Sequence, residues 1–120
     1  MSCLHLNRHR VLGRTFVSWH LDKTLETAAG VVHHGASGDG PPLVLVHGTP
    51  WSSFSWHRVI PKLERHFRVH WYDYPGYGRS EMRDGQRVSL DVQSEVLVQL
   101  LEHLKLDRPC VVGHDFGGAT

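Results

Sequence analysis

Hydrophobic and polar residues follow different periods along the 120 positions of the chain, and each period names the element that a stretch forms. Leu43-Val44-Leu45-Val46 is an unbroken apolar run, the pattern of a strand in a parallel sheet covered on both faces. The loop-forming stretch Ser37-Gly38-Asp39-Gly40-Pro41-Pro42 delivers the chain into it, and His47-Gly48-Thr49-Pro50 stops it. Residues 52–63 carry Phe54, Val59, Ile60 and Leu63 at roughly helical spacing, with Ser52 or Ser53 as cap and Pro61 breaking or kinking the helix. Residues 67–72 alternate apolar and polar and predict a strand, which ends at the turn-forming Asp73-Tyr74-Pro75-Gly76-Tyr77-Gly78-Arg79-Ser80. After Ser89, a good N-cap, Val92, Val96, Leu97, Leu100, Leu101 and Leu104 follow the three-and-four spacing of one helix face. Pro109-Cys110-Val111-Val112-Gly113 then predicts a fully buried strand that runs straight into a tight turn. Residues 15–19 and 31–34 are short, partly alternating strand candidates.

Strand, helix, strand, helix, strand is the order of a doubly wound α/β fold with right-handed crossovers and a parallel sheet. Residues 27–120 form that domain, with no internal repeat and no second domain, and residues 1–26 form a weakly structured N-terminal arm. The arm is basic at Arg8, Arg10 and Arg14 but lacks the apolar block that a secretory signal needs. No apolar run approaches the roughly 18 residues of a membrane-spanning helix.

Composition changes this picture little: 40% hydrophobic and 21% charged is ordinary for a soluble globular domain. A net charge of +1 gives no electrostatic reason to expect nucleic acid or an anionic membrane as partner. The eleven histidines are scattered over different elements without metal-ligand spacing, so no metal and no cofactor is assigned. Cys3 and Cys110 make no disulfide framework and fit a reducing, cytoplasmic compartment.

The candidate chemistry lies at the end of the chain. Asp115 sits at the tip of the last turn, with Gly113 and Gly117 two residues to either side, as in a turn where a strand reverses sharply into a helix and one side chain is pushed into the open. This is the pattern of a nucleophile elbow with aspartate where serine is commoner; the bland alternative is an ordinary glycine-rich strand-to-helix turn. Together, His47-Gly48-Thr49-Pro50, the run from Asp73 through Gly76-x-Gly78-x-Ser80, and Gly113-His114-Asp115-Phe116-Gly117-Gly118 resemble three successive landmarks of the α/β-hydrolase fold. Aspartate at the elbow resembles the epoxide hydrolases and the haloalkane or haloacid dehalogenases within it. The similarity covers roughly residues 27–120, the N-terminal portion of such a domain, ending at the elbow.

The resemblance implies Asp115 as nucleophile and an oxyanion hole made by the backbone N–H groups of Thr49 and Phe116. The loop with Thr49 is held by His47, Gly48 and a cis bond to Pro50; Gly113, His114, Gly117 and Gly118 support the elbow. A carboxylate is ionised at neutral pH and needs no base to attack, and its sensible target is a saturated carbon bearing a leaving group. His47 and His114 are expected to support the loops by hydrogen bonding. Trp51, Trp56 and Trp71 either line a pocket or pack in the core, while Tyr74, Tyr77 and Ser80 are loop structure. The family's lid, triad acid and histidine base lie beyond residue 120, so the chain resembles the front part of a hydrolase and is expected to have no turnover alone. An enzyme of this family and a truncated, non-catalytic fragment are the two function classes left open. Among reactions, Thr49 and Phe116 replace the asparagine and tryptophan by which haloalkane dehalogenases grip a halide, and Phe116 the arginine of the haloacid branch. That favours epoxide hydrolysis of a small apolar organic substrate over dehalogenation or another α/β-hydrolase activity.

Overall fold

The computed structural model describes residues 18–120; the arginines of the arm, Cys3 and most of the strand expected over 15–19 lie outside the described residues. Five strands form one sheet in the order β1-β2-β4-β3-β5: β1 (Lys23–Thr27), β2 (Gly30–Ser37), β3 (Pro42–Val46), β4 (Arg68–Tyr72) and β5 (Cys110–Gly113). β3 pairs in parallel with β4 on one side and β5 on the other, as the strand-helix order predicts. β2 pairs antiparallel with both β4 and β1, so the whole sheet is mixed. The sheet also begins earlier than residue 27, because β1 takes up the end of the expected arm. Its sequence, Lys-Thr-Leu-Glu-Thr, holds one apolar residue, and its turn into β2 is held by the Thr27 hydroxyl, which donates to the Gly30 carbonyl at 2.7 Å.

The unbroken apolar run of β3 is explained by burial on both faces. Leu43 and Leu45 join Val69, Trp71 and Ile60 in one core layer, while Val44 and Val46 join Val32, Tyr72 and Tyr74 in the other. The second layer is closed by helix α2 (Leu90–Leu104), which buries Val92, Gln93, Val96 and Leu100 in a four-residue rhythm. Ser89 has the extended backbone of an N-cap, but its hydroxyl bonds Asp91 and makes no capping bond. The helix ends at Lys105 in the left-handed region, whose N–H donates back to Glu102.

Two expectations change. Residues 52–63 form a 3-10 turn (Ser53–Trp56) followed by a single turn of helix α1 (Ile60–Leu63). Pro61, which cannot donate to a preceding turn, sits at the N-terminus of α1, where a missing N–H costs nothing. β5 is exposed throughout rather than buried, Val111 by 46% and Val112 by 43%, because it is the edge of the sheet and among the described residues no strand flanks its free side. Apolar composition predicts a buried strand; strand order decides whether a neighbour exists to bury it. No described helix is long and apolar enough to cross a membrane.

Candidate active site

Topology selects the location. From β3 the chain crosses to β4 on one side and then to β5 on the other, so the ends of β3 and β5 flank a point where the strand order reverses. Loops leaving the carboxyl ends of strands diverge at such a point and open a crevice. Here the two loops are residues 47–50 after β3 and the turn between β5 and helix α3 (Phe116–Ala119), with Asp115 at its tip.

Asp115 has φ 58° and ψ −120°, an unfavourable backbone for a residue with a Cβ, costing on the order of 1–3 kcal/mol. The glycines around it make that conformation possible. A Cβ on Gly113 would lie 2.4 Å from the Gly117 carbonyl oxygen, and one on Gly117 would lie 2.3 Å from the Val46 carbonyl oxygen. A Cβ on Gly48 would lie 2.8 Å from that of Asp115, so the two loops touch backbone to side chain. Gly118 has no such constraint, its nearest neighbour being 3.9 Å from a built Cβ.

Two backbone donors act on the Asp115 carboxylate. The N–H of Phe116 and then that of Thr49, at 3.2 Å from Oδ2, hold its carboxyl below the usual aspartate range, with the neighbouring His114 adding to the effect. The Thr49-Pro50 bond is cis, as expected. The Thr49 hydroxyl donates to the Tyr77 hydroxyl at 3.5 Å. Phe116 presents a ring edge to Tyr74 with centroids 5.9 Å apart.

His47 supports its loop as anticipated. It is buried, and its Nε2 accepts the Tyr74 N–H at 3.0 Å, which puts the proton on Nδ1, 2.8 Å from the Gly48 carbonyl to which it donates. Burial lowers its pKa and keeps the ring neutral. His114 differs: its backbone braces the turn, donating to Val46 and accepting from Gly117, but among the described residues its imidazole makes no hydrogen bond and lies edge-on to Trp56 at 6.5 Å. Of the three tryptophans, Trp71 is fully buried in the core, Trp56 packs against that core, and Trp51 is 55% exposed. Ser80 is loop structure, donating to the Asp73 carbonyl at 2.6 Å and accepting from the His33 N–H at 2.9 Å. Tyr74 and Tyr77 do more than shape their loop, since both pack against His47.

Asp73 is the residue that motif reading undervalued. Its buried carboxylate accepts the Ser53 N–H at 2.7 Å through Oδ1 and the Arg79 N–H at 2.8 Å through Oδ2, tying the loop after β3 to the loop after β4. The sequence signal was there: an aspartate at the end of a strand, ahead of a glycine-rich loop, is a ready acceptor for free loop N–H groups. Among the described residues, no group of three histidine, cysteine or acidic side chains could hold a metal ion.

The same architecture recurs in known proteins. The family model of the alpha/beta hydrolase fold matches residues 41–120. The chain is 37% identical over 93 residues to haloalkane dehalogenase 2 of Mycobacterium tuberculosis, covering 78% of this chain and 32% of that protein. It is 39% identical over 93 residues to the soluble epoxide hydrolase of a Corynebacterium species, covering 74% of this chain and 31% of that one. The crystal structure of an alpha/beta hydrolase fold protein from Burkholderia ambifaria superposes with a TM-score of 0.80 at 45% identity, over 83% of this chain and 37% of the other. The chain therefore spans about a third of the length of the curated relatives it matches.

Proposed function

The chain belongs to the α/β-hydrolase fold family, and from that premise we propose that Asp115 is a nucleophile that forms an alkyl ester with a small apolar epoxide. The observation that carries the reading is a carboxylate on a strained turn that accepts the Thr49 N–H at 3.2 Å, its pKa lowered by the Phe116 N–H and then by that of Thr49. An ionised Asp115 oxygen attacks an epoxide carbon from behind, the ring C–O bond breaks, and the released alkoxide takes a proton to become a hydroxyl. Water then adds to the ester carbonyl, whose oxygen becomes anionic within reach of the same two N–H groups, and the collapse returns carboxylate and diol. Among the described residues none is assigned as proton donor to the alkoxide or as base for the water. A cytoplasmic setting belongs to the same reading, supported by the free, exposed thiol of Cys110.

Relatives of both chemistries are about equally similar, so side chains at the site decide between them. A departing halide needs side-chain N–H donors. Phe116 offers an apolar ring, and the Thr49 hydroxyl is directed to Tyr77. Each hydrogen bond to a charged acceptor that is not made forgoes about 1.5–3 kcal/mol. An epoxide oxygen stays tethered to the substrate and asks nothing of these side chains.

The test pairs a terminal epoxide with a 1-bromoalkane of equal length and follows adduct formation on the chain by intact mass. The hydroxyalkyl adduct should form faster than the alkyl adduct, and both should vanish in Asp115→Asn. Faster alkylation by the bromide would move the assignment to dehalogenation.

A further inference from the structure

The segment before β1, residues 18–22, lies across the sheet face that carries α1, and its contacts converge on the loops of the candidate site. Trp19 Nε1 donates to Ser53 Oγ at 2.9 Å. The Trp19 ring meets Phe54 edge-on at 5.0 Å, and the Arg79 guanidinium stands over it at 5.3 Å. Ser53 and Arg79 are the two residues whose N–H groups bind opposite oxygens of the Asp73 carboxylate. One indole therefore touches both loops that this carboxylate joins. The segment is anchored independently on each side: Ser18 Oγ donates to Glu64 at 3.1 Å, and the His20 carbonyl accepts the Trp71 indole N–H at 2.7 Å.

The loop from Gly48 to Ser52 hangs between two fixed points. At its start His47 is gripped by the Tyr74 N–H, and at its end Ser53 is completely buried, held by Asp73 through its N–H and by Trp19 through its hydroxyl. Thr49, whose N–H reaches Asp115, lies within that span. A donor at 3.2 Å is near the long end of useful hydrogen-bond distances, so small slack in either anchor weakens it.

We propose that Trp19 is a positioning residue: it ties the loop carrying Thr49 to the loop carrying Arg79 and so keeps the Thr49 N–H against the Asp115 carboxylate. Bonds to an indole N–H and stacking under a guanidinium both restrain orientation, which is what positioning requires. The inference rests on the proposed function only in giving Thr49 its importance; the tether is a matter of geometry.

The experiment measures amide exchange at Thr49 and Arg79 and the carboxyl titration of Asp115 by NMR, in the chain and in Trp19→Phe, Ser53→Ala and the double variant. Phenylalanine keeps most of the ring packing and removes the donor; alanine at 53 removes its acceptor and leaves the Ser53 backbone bond to Asp73. In each single variant Thr49 exchange should quicken about tenfold, the Asp115 midpoint should rise, and β4 amides should be unchanged. The double variant should be no worse than either single one, since both delete the same bond. Unchanged Thr49 exchange and Asp115 titration would overturn the proposal. So would equal acceleration in β4, or the same loosening in the control Phe67→Leu on that face, since either makes Trp19 a packing residue only. Failure of Asp115 to be alkylated would leave these readouts untouched, so the tether and the nucleophile assignment fail separately.

Discussion

At the scale of single residues the site is built by what is missing from glycine. Gly117→Ala would drive a methyl into the backbone of Val46 at 2.3 Å, where neither chain can retreat without breaking the approach of the elbow to β3. It should cost about 1–3 kcal/mol in denaturant unfolding. Gly118→Ala, with open space and a helical position, should be neutral or slightly stabilising, and a loss equal to that of Gly117→Ala would refute the steric account. Asp73→Ala leaves the Ser53 and Arg79 N–H groups without their acceptor in a buried place and should cost about 1–3 kcal/mol. The resemblance to the α/β-hydrolase landmarks is what pointed to Thr49 and Phe116, and it could do so because it rests on residues local in sequence. The tie from Trp19 to Ser53 was not legible there, since 34 residues separate the partners and only the fold brings them together.

At the scale of elements, legibility follows how much of the signal is local. α2 runs over the residues that the three-and-four rhythm predicts, because one face of a helix states its own burial. The stretch 52–63 misled, since four apolar residues at loose spacing do not outweigh a proline that must start a helix rather than continue one. β1 was missed because its single leucine carries no alternation, and its place is decided by the register Leu25 to Val32 against β2. β5 was legible as a strand and, with its far side lacking a partner in this chain, as a bare apolar edge; the burial that its apolar run also suggested is what that edge removes. Its exposed Val111 and Val112, beside unpaired backbone groups, form a template for another strand. The chain should therefore self-associate with rising concentration in sedimentation experiments, and Val112→Lys should suppress this; monodispersity without the substitution would contradict it.

At the scale of the molecule, acid should loosen the domain from inside. His34 and His70 are almost fully buried beneath α2, and burial lowers the pKa of each to about 4. His103 and Lys23 add repulsion at His34, with Asp22 partly offsetting it, and Arg68, His34 and Lys23 add to it at His70. An unfolded histidine titrates near 6.5, so between about pH 6.5 and 4 the unfolded chain binds more protons than the folded one, and stability falls as pH falls. Denaturant titrations should show a slope on the order of 1–3 kcal/mol per pH unit in that window, reduced in His34→Gln; a flat profile would show that these rings are already charged or solvated. Asp115 behaves oppositely. Its carboxyl lies below the usual range, so its reactivity should not change between about pH 5 and 8. The claim on which the whole account turns is that this one carboxylate is the nucleophile. Peptide-mapped mass spectrometry after exposing the chain to an apolar terminal epoxide tests it most directly. The account predicts one adduct per chain, on Asp115, at a rate independent of pH over that range and abolished by Asp115→Asn. Labelling spread evenly over other exposed carboxylates such as Asp39 and Asp84, or absent from Asp115, would contradict it.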